Sequence, residues 1–297
     1  MRLATRGSQQ ASTQAQAVAD QLHEATGRAG ELVIVETTGD RRQDVPLHVI
    51  GGQGVFVKEV QQAVLDGRAD VAVHSAKDLP SVSADGLVIA AYTRRRDPAD
   101  ALVGRSLDEL AEGATVATGS VRRRAQLGLV RPDLRFVELR GNIATRLGRI
   151  PDDGSIVMAV AALEVLGQTD RIAERLDPVT FVPAVGQGCV ALEVRADDED
   201  TIALLASIDD PATRHAVEVE RAFLAELGAG CSLPVGAHAA GGRLHTFLAS
   251  SDRDGHHVDV IVASDDIELT GDDGDLERAR AAAGAAKHAV GWEQHAG

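Results

Sequence analysis

The sequence predicts an α/β protein with two doubly wound domains and a smaller C-terminal α+β domain. Three observations carry this expectation. Short β-like runs alternate with helical stretches as far as residue 195, the rhythm of sheets with helices on their faces. The alternation comes in two similar sets, joined by two segments that read as crossings between domains. From about Pro211 the pattern changes to a long helix, strands and an Ala-rich helix.

In chain order, RLAT (2 to 5) is the first strand, and a helix runs from about Ser8 to Ala25. ELVIVET (31 to 37) follows, then a helix from about Val55 to Leu65, then the strands ADVAVHS (69 to 75) and GLVIAAY (86 to 92). The second set comprises DALVG, TVAT, a helix from about Ser120, LRFVEL and SIVMAV. RRRDPAD (94 to 100) and PAVGQG (183 to 188) are the crossings, so the chain leaves the first domain, builds the second and returns to add CVALEVR (189 to 195). Paired crossings make a hinge. The expected domains are therefore 1–92 with 189–207, 93–188, and 208–297. The last holds a long helix, strands near 244 to 250 and 257 to 263, and a helix from about Leu276.

At 297 residues and 44% hydrophobic content the chain can bury several cores. Its net charge of -15, 45 acids and three lysines resemble proteins adapted to high salt. Against that background, twelve arginines face only seven acids between Tyr92 and Arg149. Clustered guanidinium groups repel one another unless an anion sits among them, and their flat forks match carboxylate or phosphate. Solvated pairing with surface acids is the plainer alternative. The first residues, MRLATRGSQQASTQ, lack an apolar leader core, and no run approaches the roughly 18 apolar residues of a spanning helix. A soluble, cytoplasmic protein without membrane contact is expected. Cys189 and Cys231 are too few for a disulfide framework or a zinc site, and the ten histidines show no metal spacing, so no metal is expected. An aromatic content of 2% and the negative net charge argue against a nucleic-acid binder. A solute-binding clamshell shares the two-lobed plan, but a secretory signal is missing.

Four segments carry candidate chemistry. ADVAVHSAKDLP ends a strand in Ser75, Lys77 and Asp78, where ligands of open α/β sheets bind, beyond the carboxyl ends of strands. The same residue types also serve as turn caps or ion-pair partners. TGSVRRR (118 to 124) and LRGNIATRLGR (139 to 149) bring hydroxyls, glycines and arginines to helix starts, as do Arg6 and Ser8 after the first strand; free N–H groups and guanidinium forks there favour an anion. Residues 122 to 124 point about 100° apart on a helix, so at least one of these arginines belongs on the surface. GAGCSLPVG (228 to 236) sets Cys231 in a glycine-rich loop, where a thiol can serve as nucleophile or attachment point, or simply be a loop cysteine.

Together these segments resemble the porphobilinogen deaminase (hydroxymethylbilane synthase) family. The resemblance rests on LATRGSQQASTQA, GGQGVFVKEV, ADVAVHSAKDLP, TGSVRRRAQL, LRGNIATRL, PAVGQG and GAGCSLPVG, in the family's order over most of residues 1 to 236. It implies two periplasmic-binding-protein-like domains and a monomeric transferase that condenses four porphobilinogens head to tail, releasing ammonia, into hydroxymethylbilane for porphyrin and heme biosynthesis. It implies a dipyrromethane cofactor, one per chain, joined by a thioether to Cys231. The family's catalytic aspartate falls on Asp78. Its carboxylate-binding arginines fall on Arg6, Arg122, Arg123, Arg140 and Arg146, supported by Ser8, Ser75, Lys77, Thr118 and Ser120. The stretch Thr38 to Val55 is similar to the family's lid, and Phe56 at its end is expected to pack on a pyrrole ring. Gln53 stands where the family has lysine, Gly119 where it has serine, and Cys189 where it has alanine.

Overall fold

Strand β1 (Arg2–Arg6) runs into helix α1 (Gln9–Thr26) through Ser8, whose hydroxyl accepts from the Ala11 amide and caps the helix. Ala15, Val18, Ala19 and Leu22, three and four apart, give α1 its buried face, and Gly27 ends it at φ 72°. The structure, a computed structural model, describes residues 1–37, 56–228, 233–250 and 262–291. The first set continues with β2 (Glu31–Val35), α2 (Lys58–Leu65), β3 (Val71–Ser75) and β4 (Leu87–Tyr92). The second holds β5 (Asp100–Val103), β6 (Thr115–Ala117), α3 (Val121–Val130), β7 (Arg135–Val137), α4 (Ile143–Leu147), β8 (Ser155–Ala159), α5 (Val160–Val165) and β9 (Ile172–Arg175). Strand β10 (Val190–Arg195) and α6 (Glu199–Leu205) follow.

The strands form two sheets of matching plan, β2-β1-β3-β10-β4 and β7-β6-β8-β5-β9. Each begins with three parallel strands and continues with an antiparallel one, β10 in the first sheet and β5 in the second. Both of those strands directly follow a crossing. The two crossings lie side by side, with the Arg96 amide donating to Gly188 O at 2.8 Å. Glycine is required there: Gly188 has φ +86°, and a Cβ would stand 2.7 Å from Arg96 O. At Gly186, φ +69°, a Cβ would press on Ala76 at 3.0 Å. The second crossing can therefore lie tight against the turn that follows β3.

Helix α7 (Pro211–Leu227) opens the last domain, with Asp210 as N-cap, proline in its first turn and Gly228 closing it in the left-handed region. Strands β11 (Val235–Ala240), β12 (Arg243–Ala249) and β13 (Val262–Glu268) form an antiparallel sheet under α7 and α8 (Gly274–Ala289). Phe223, Leu244 and Leu248 are fully buried between them, each contributing on the order of 1.5–3 kcal/mol. The third strand differs from the sequence expectation of 257 to 263; it spans Val262–Glu268, and residues 251 to 261 lie outside the described ones. Strand β9 has no counterpart among the strands expected from the sequence. No helix among the described residues is long and apolar enough to cross a membrane.

Candidate functional site

Strand β3 leaves its sheet at Ser75 and turns through a single 3-10 turn, Ala76–Asp78. The Ala76 amide donates to Cys189 O at 2.9 Å, tying this turn to the start of β10. The Ser75 hydroxyl donates to Gln14 Oε1 at 3.1 Å, and Lys77 Nζ donates to Gln187 Oε1 at 3.3 Å. Just beyond the turn, Arg221 of α7 donates to Ser81 O at 3.1 Å. Neighbours on three sides thus fix the backbone that carries Asp78, whose half-buried carboxylate faces a cavity.

All of the site's arginines except Arg6 come from the second lobe. Thr118 and Ser120 sit at the start of α3, where Ser120 caps the helix by accepting from the Arg123 amide and the Thr118 hydroxyl accepts from the Ser120 amide. Arg122 and Arg123, 4% and 7% exposed, converge on Asp100, which is wholly buried: Arg122 Nη2 is 2.8 Å from Oδ2 and Arg123 Nη2 is 2.6 Å from Oδ1. The carbonyls of Val182 and Val157 accept further bonds from these forks, at 2.8 and 2.9 Å. Burial alone would raise the Asp100 pKa, but the two guanidinium groups outweigh it and hold the carboxyl far below its usual range. Arg140 follows β7 and keeps one Nη buried with no hydrogen-bond partner. Arg146, on α4, donates to Gly141 O at 2.8 Å; burial and the charges of Arg123 and Arg140 lower its pKa to about 10. Arg6 stacks its guanidinium 4.0 Å over the Phe56 ring.

These groups meet. A cavity of about 820 Å³ between the lobes is lined by Arg6, Ser8, Ser75, Lys77, Asp78, Thr118, Ser120, Arg122, Arg123, Arg140 and Arg146. The carboxyl ends of β1 and β3 on one side and of β6 and β8 on the other open onto it, as does the N-terminal end of α1. Leu224, Leu233 and Val235 of the last domain close another wall. Six cationic side chains line it against the two acids Asp78 and Glu36, and even with buried Asp100 paired to Arg122 and Arg123 positive charge is in excess, which suits a polyanion. Of the expected site residues, Cys231 lies outside the described residues, and so do Gln53 and the stretch from Thr38 to Val55.

One reading changes. None of Arg122, Arg123 and Arg124 is on the open surface: Arg124 is half-buried and rests its guanidinium 6.0 Å from the Phe136 ring centre, the ring offering a third direction that helical geometry alone does not reveal. Phe56, expected against a pyrrole, lines the cavity and carries Arg6 on one face. Sequence reasoning also missed three residues. Gln187 donates to Asp100 Oδ1 at 2.9 Å and to Pro98 O at 2.7 Å while accepting from Lys77, so it bridges both lobes at the cleft floor. Asp100 and Gln14 complete the set; their only signal was a place beside a crossing or on the cleft end of α1.

A family model described as "Porphobilinogen deaminase, dipyromethane cofactor binding domain" matches residues 1–203, and one described as "Porphobilinogen deaminase, C-terminal domain" matches residues 215–272. The porphobilinogen deaminase of Acidothermus cellulolyticus is 50% identical over 246 residues, covering 80% of this chain and 74% of its own. That of a Roseiflexus species is 47% identical over 266 residues, covering 86% and 87%. Among solved structures, the methionine-binding protein MetQ aligns with a TM-score of 0.45 at 15% identity, over 72% of this chain and 92% of that one.

Proposed function

Because the chain belongs to the porphobilinogen deaminase family, we propose that Asp78 in this cleft is the catalytic carboxylate and that Cys231 carries the primer. The enzyme condenses four porphobilinogens head to tail, releasing ammonia, to give hydroxymethylbilane for tetrapyrrole synthesis. The family's cofactor, dipyrromethane, supplies when bound the pyrrole carbon from which the product grows. The observation carrying the site assignment is the convergence of eleven side chains, from separate stretches of sequence, on one cation-rich cavity.

Each pyrrole bears an acetate and a propionate, so six rings present twelve carboxylates. The chain's residues fit such a group. The unpartnered buried Nη of Arg140 costs free energy until an acceptor meets it. In this reading Arg6, Arg122, Arg123, Arg140 and Arg146 bind the carboxylates, and Ser8, Ser75, Lys77, Thr118 and Ser120 add donors. Leu233, two residues after Cys231 in sequence, lines the same cavity as Asp78, which supports the tether assignment. Departure of ammonia from porphobilinogen leaves a cation shared with the pyrrole nitrogen. Asp78 stabilises that cation electrostatically from a position fixed by the turn that carries it. We assign the domains to 1–92 with 189–207, 93–188 and 208–297, and place the enzyme in the cytoplasm as a monomer suited to high salt, binding neither nucleic acid nor membrane.

Intact mass tests the tether. Purified protein should carry the added mass of one dipyrrole, and Cys231→Ser should lack it; wild type at the bare polypeptide mass refutes the assignment. A second expectation concerns pH. Burial, then the charge of Arg123, lowers the Lys77 pKa to about 8, so above that pH the empty cleft loses a cation. A carboxylate bound beside the ammonium raises its pKa. The value of kcat/KM should therefore fall on the alkaline side, starting no lower than about pH 8, and Lys77→Arg, which stays charged, should flatten that limb. An unchanged alkaline limb in the arginine variant would exclude Lys77 as its source.

A further inference from the structure

Glu220, on α7, is wholly buried where the last domain meets both crossings, and no step of the chemistry described above uses it. Both of its oxygens face Arg95 of the first crossing, at 2.5 and 3.2 Å. The same carboxylate accepts from the Gly186 amide of the second crossing at 2.7 Å and from the Ala239 amide of β11 at 2.9 Å. His238 Nδ1 lies 3.5 Å away. Burial alone would push the carboxyl up, yet Arg95 and His238 bring its pKa down to about 2, so the clasp is ionic at every working pH.

Other bonds reinforce the clasp. The Arg95 amide donates to Thr213 Oγ1 at 3.0 Å and its Nε donates to Gln187 O at 2.9 Å. The Ala237 amide donates to Pro183 O at 3.1 Å. A two-lobed protein bends at such paired crossings. Here a 17-residue helix is fastened to both of them through one carboxylate. That helix reaches the cavity at Leu224 and ends at Leu227, four residues before Cys231 in sequence. The last domain is thus fastened to the hinge itself.

We propose that Glu220 is a positioning residue: it fixes the tether-bearing domain to the hinge, so that the attachment point keeps its distance from Asp78 while the lobes move. The inference rests on the tether reading. A short tethered chain has few rotatable bonds, so any drift of its anchor passes directly to the reacting ring. A longer chain has slack. Loss of the clasp therefore harms the first addition most, and a misplacement of about 1 Å can cost up to about 100-fold.

The experiment gives wild type and Glu220→Gln one equivalent of porphobilinogen, quenches at intervals and reads intact masses, alongside thermal unfolding. We expect Glu220→Gln to carry the dipyrrole mass fully and to lose it to higher adducts about 10- to 100-fold more slowly, with later additions less affected. Removing one partner of a buried pair can unfold a protein, so Arg95→Met with Glu220→Gln, which leaves no lone charge, is measured too and should show the same delay. First-addition rates equal to wild type in both variants, or a deficit that merely tracks the unfolded fraction, overturn the inference. Wild type without any dipyrrole mass overturns the tether reading instead.

Discussion

Asp78→Asn should lower kcat by about two to three orders of magnitude, the usual effect of removing one preorganised group that stabilises transition-state charge. The substitution keeps the shape of the side chain and removes its charge. No donor among the described residues hydrogen-bonds to the Asp78 carboxylate, and the turn beneath it is held by Cys189 O, Gln14 and Arg221 through other residues. The fold should therefore survive, with thermal unfolding close to wild type. KM should change little, because the arginines proposed to bind the carboxylates are untouched. Ammonia release at saturating porphobilinogen, measured beside circular dichroism, decides the matter. Turnover near the wild-type rate would remove Asp78 from the chemistry.

Asp100→Asn should act on stability, with a cost of about 3–5 kcal/mol. One buried carboxylate compensates two buried guanidinium groups, and Gln187 adds a third donor to it. Asparagine leaves Arg122 and Arg123 in a dry site without an anion and presents an amide N–H₂ to donors. The lost energy should appear as a lower midpoint in denaturant, with the slope unchanged. A midpoint equal to that of wild type would mean that solvent or a bound anion already neutralises the arginines. Because Arg122 and Arg123 also line the cavity, primer loading, read by mass, should fall as well.

The sequence made the first lobe and the motif turns readable because both are local. Ser8, Gly27 and the spacing of Ala15, Val18 and Leu22 define α1 within twenty residues. The turn at Ser75 to Asp78 follows an unbroken apolar strand. What stayed hidden depends on distance along the chain: Gln187 meets Lys77 across 110 residues and Asp100 across 87, and nothing near PAVGQG announces either. Strand β9, IAER, alternates weakly and lies on a sheet edge. Strand β11, VGAHAA, consists mainly of small residues of low β-propensity, so only its place in the third sheet identifies it. The pairing of Arg122 and Arg123 with Asp100 could not be foreseen either, since a run of arginines reads the same whether its countercharge is a ligand or a buried aspartate.

The matching sheet plans have a consequence for synthesis on the ribosome. All five strands of the second sheet lie between Asp100 and Arg175, so that lobe is complete in one uninterrupted stretch of polypeptide. The first sheet is interrupted: β3 and β4 flank a slot that β10 fills, and β10 ends at Arg195. A nascent chain must therefore hold its N-terminal lobe unfinished, with two strand edges uncovered, until more than a hundred later residues have been made. The lobe translated first is the last of the two to close.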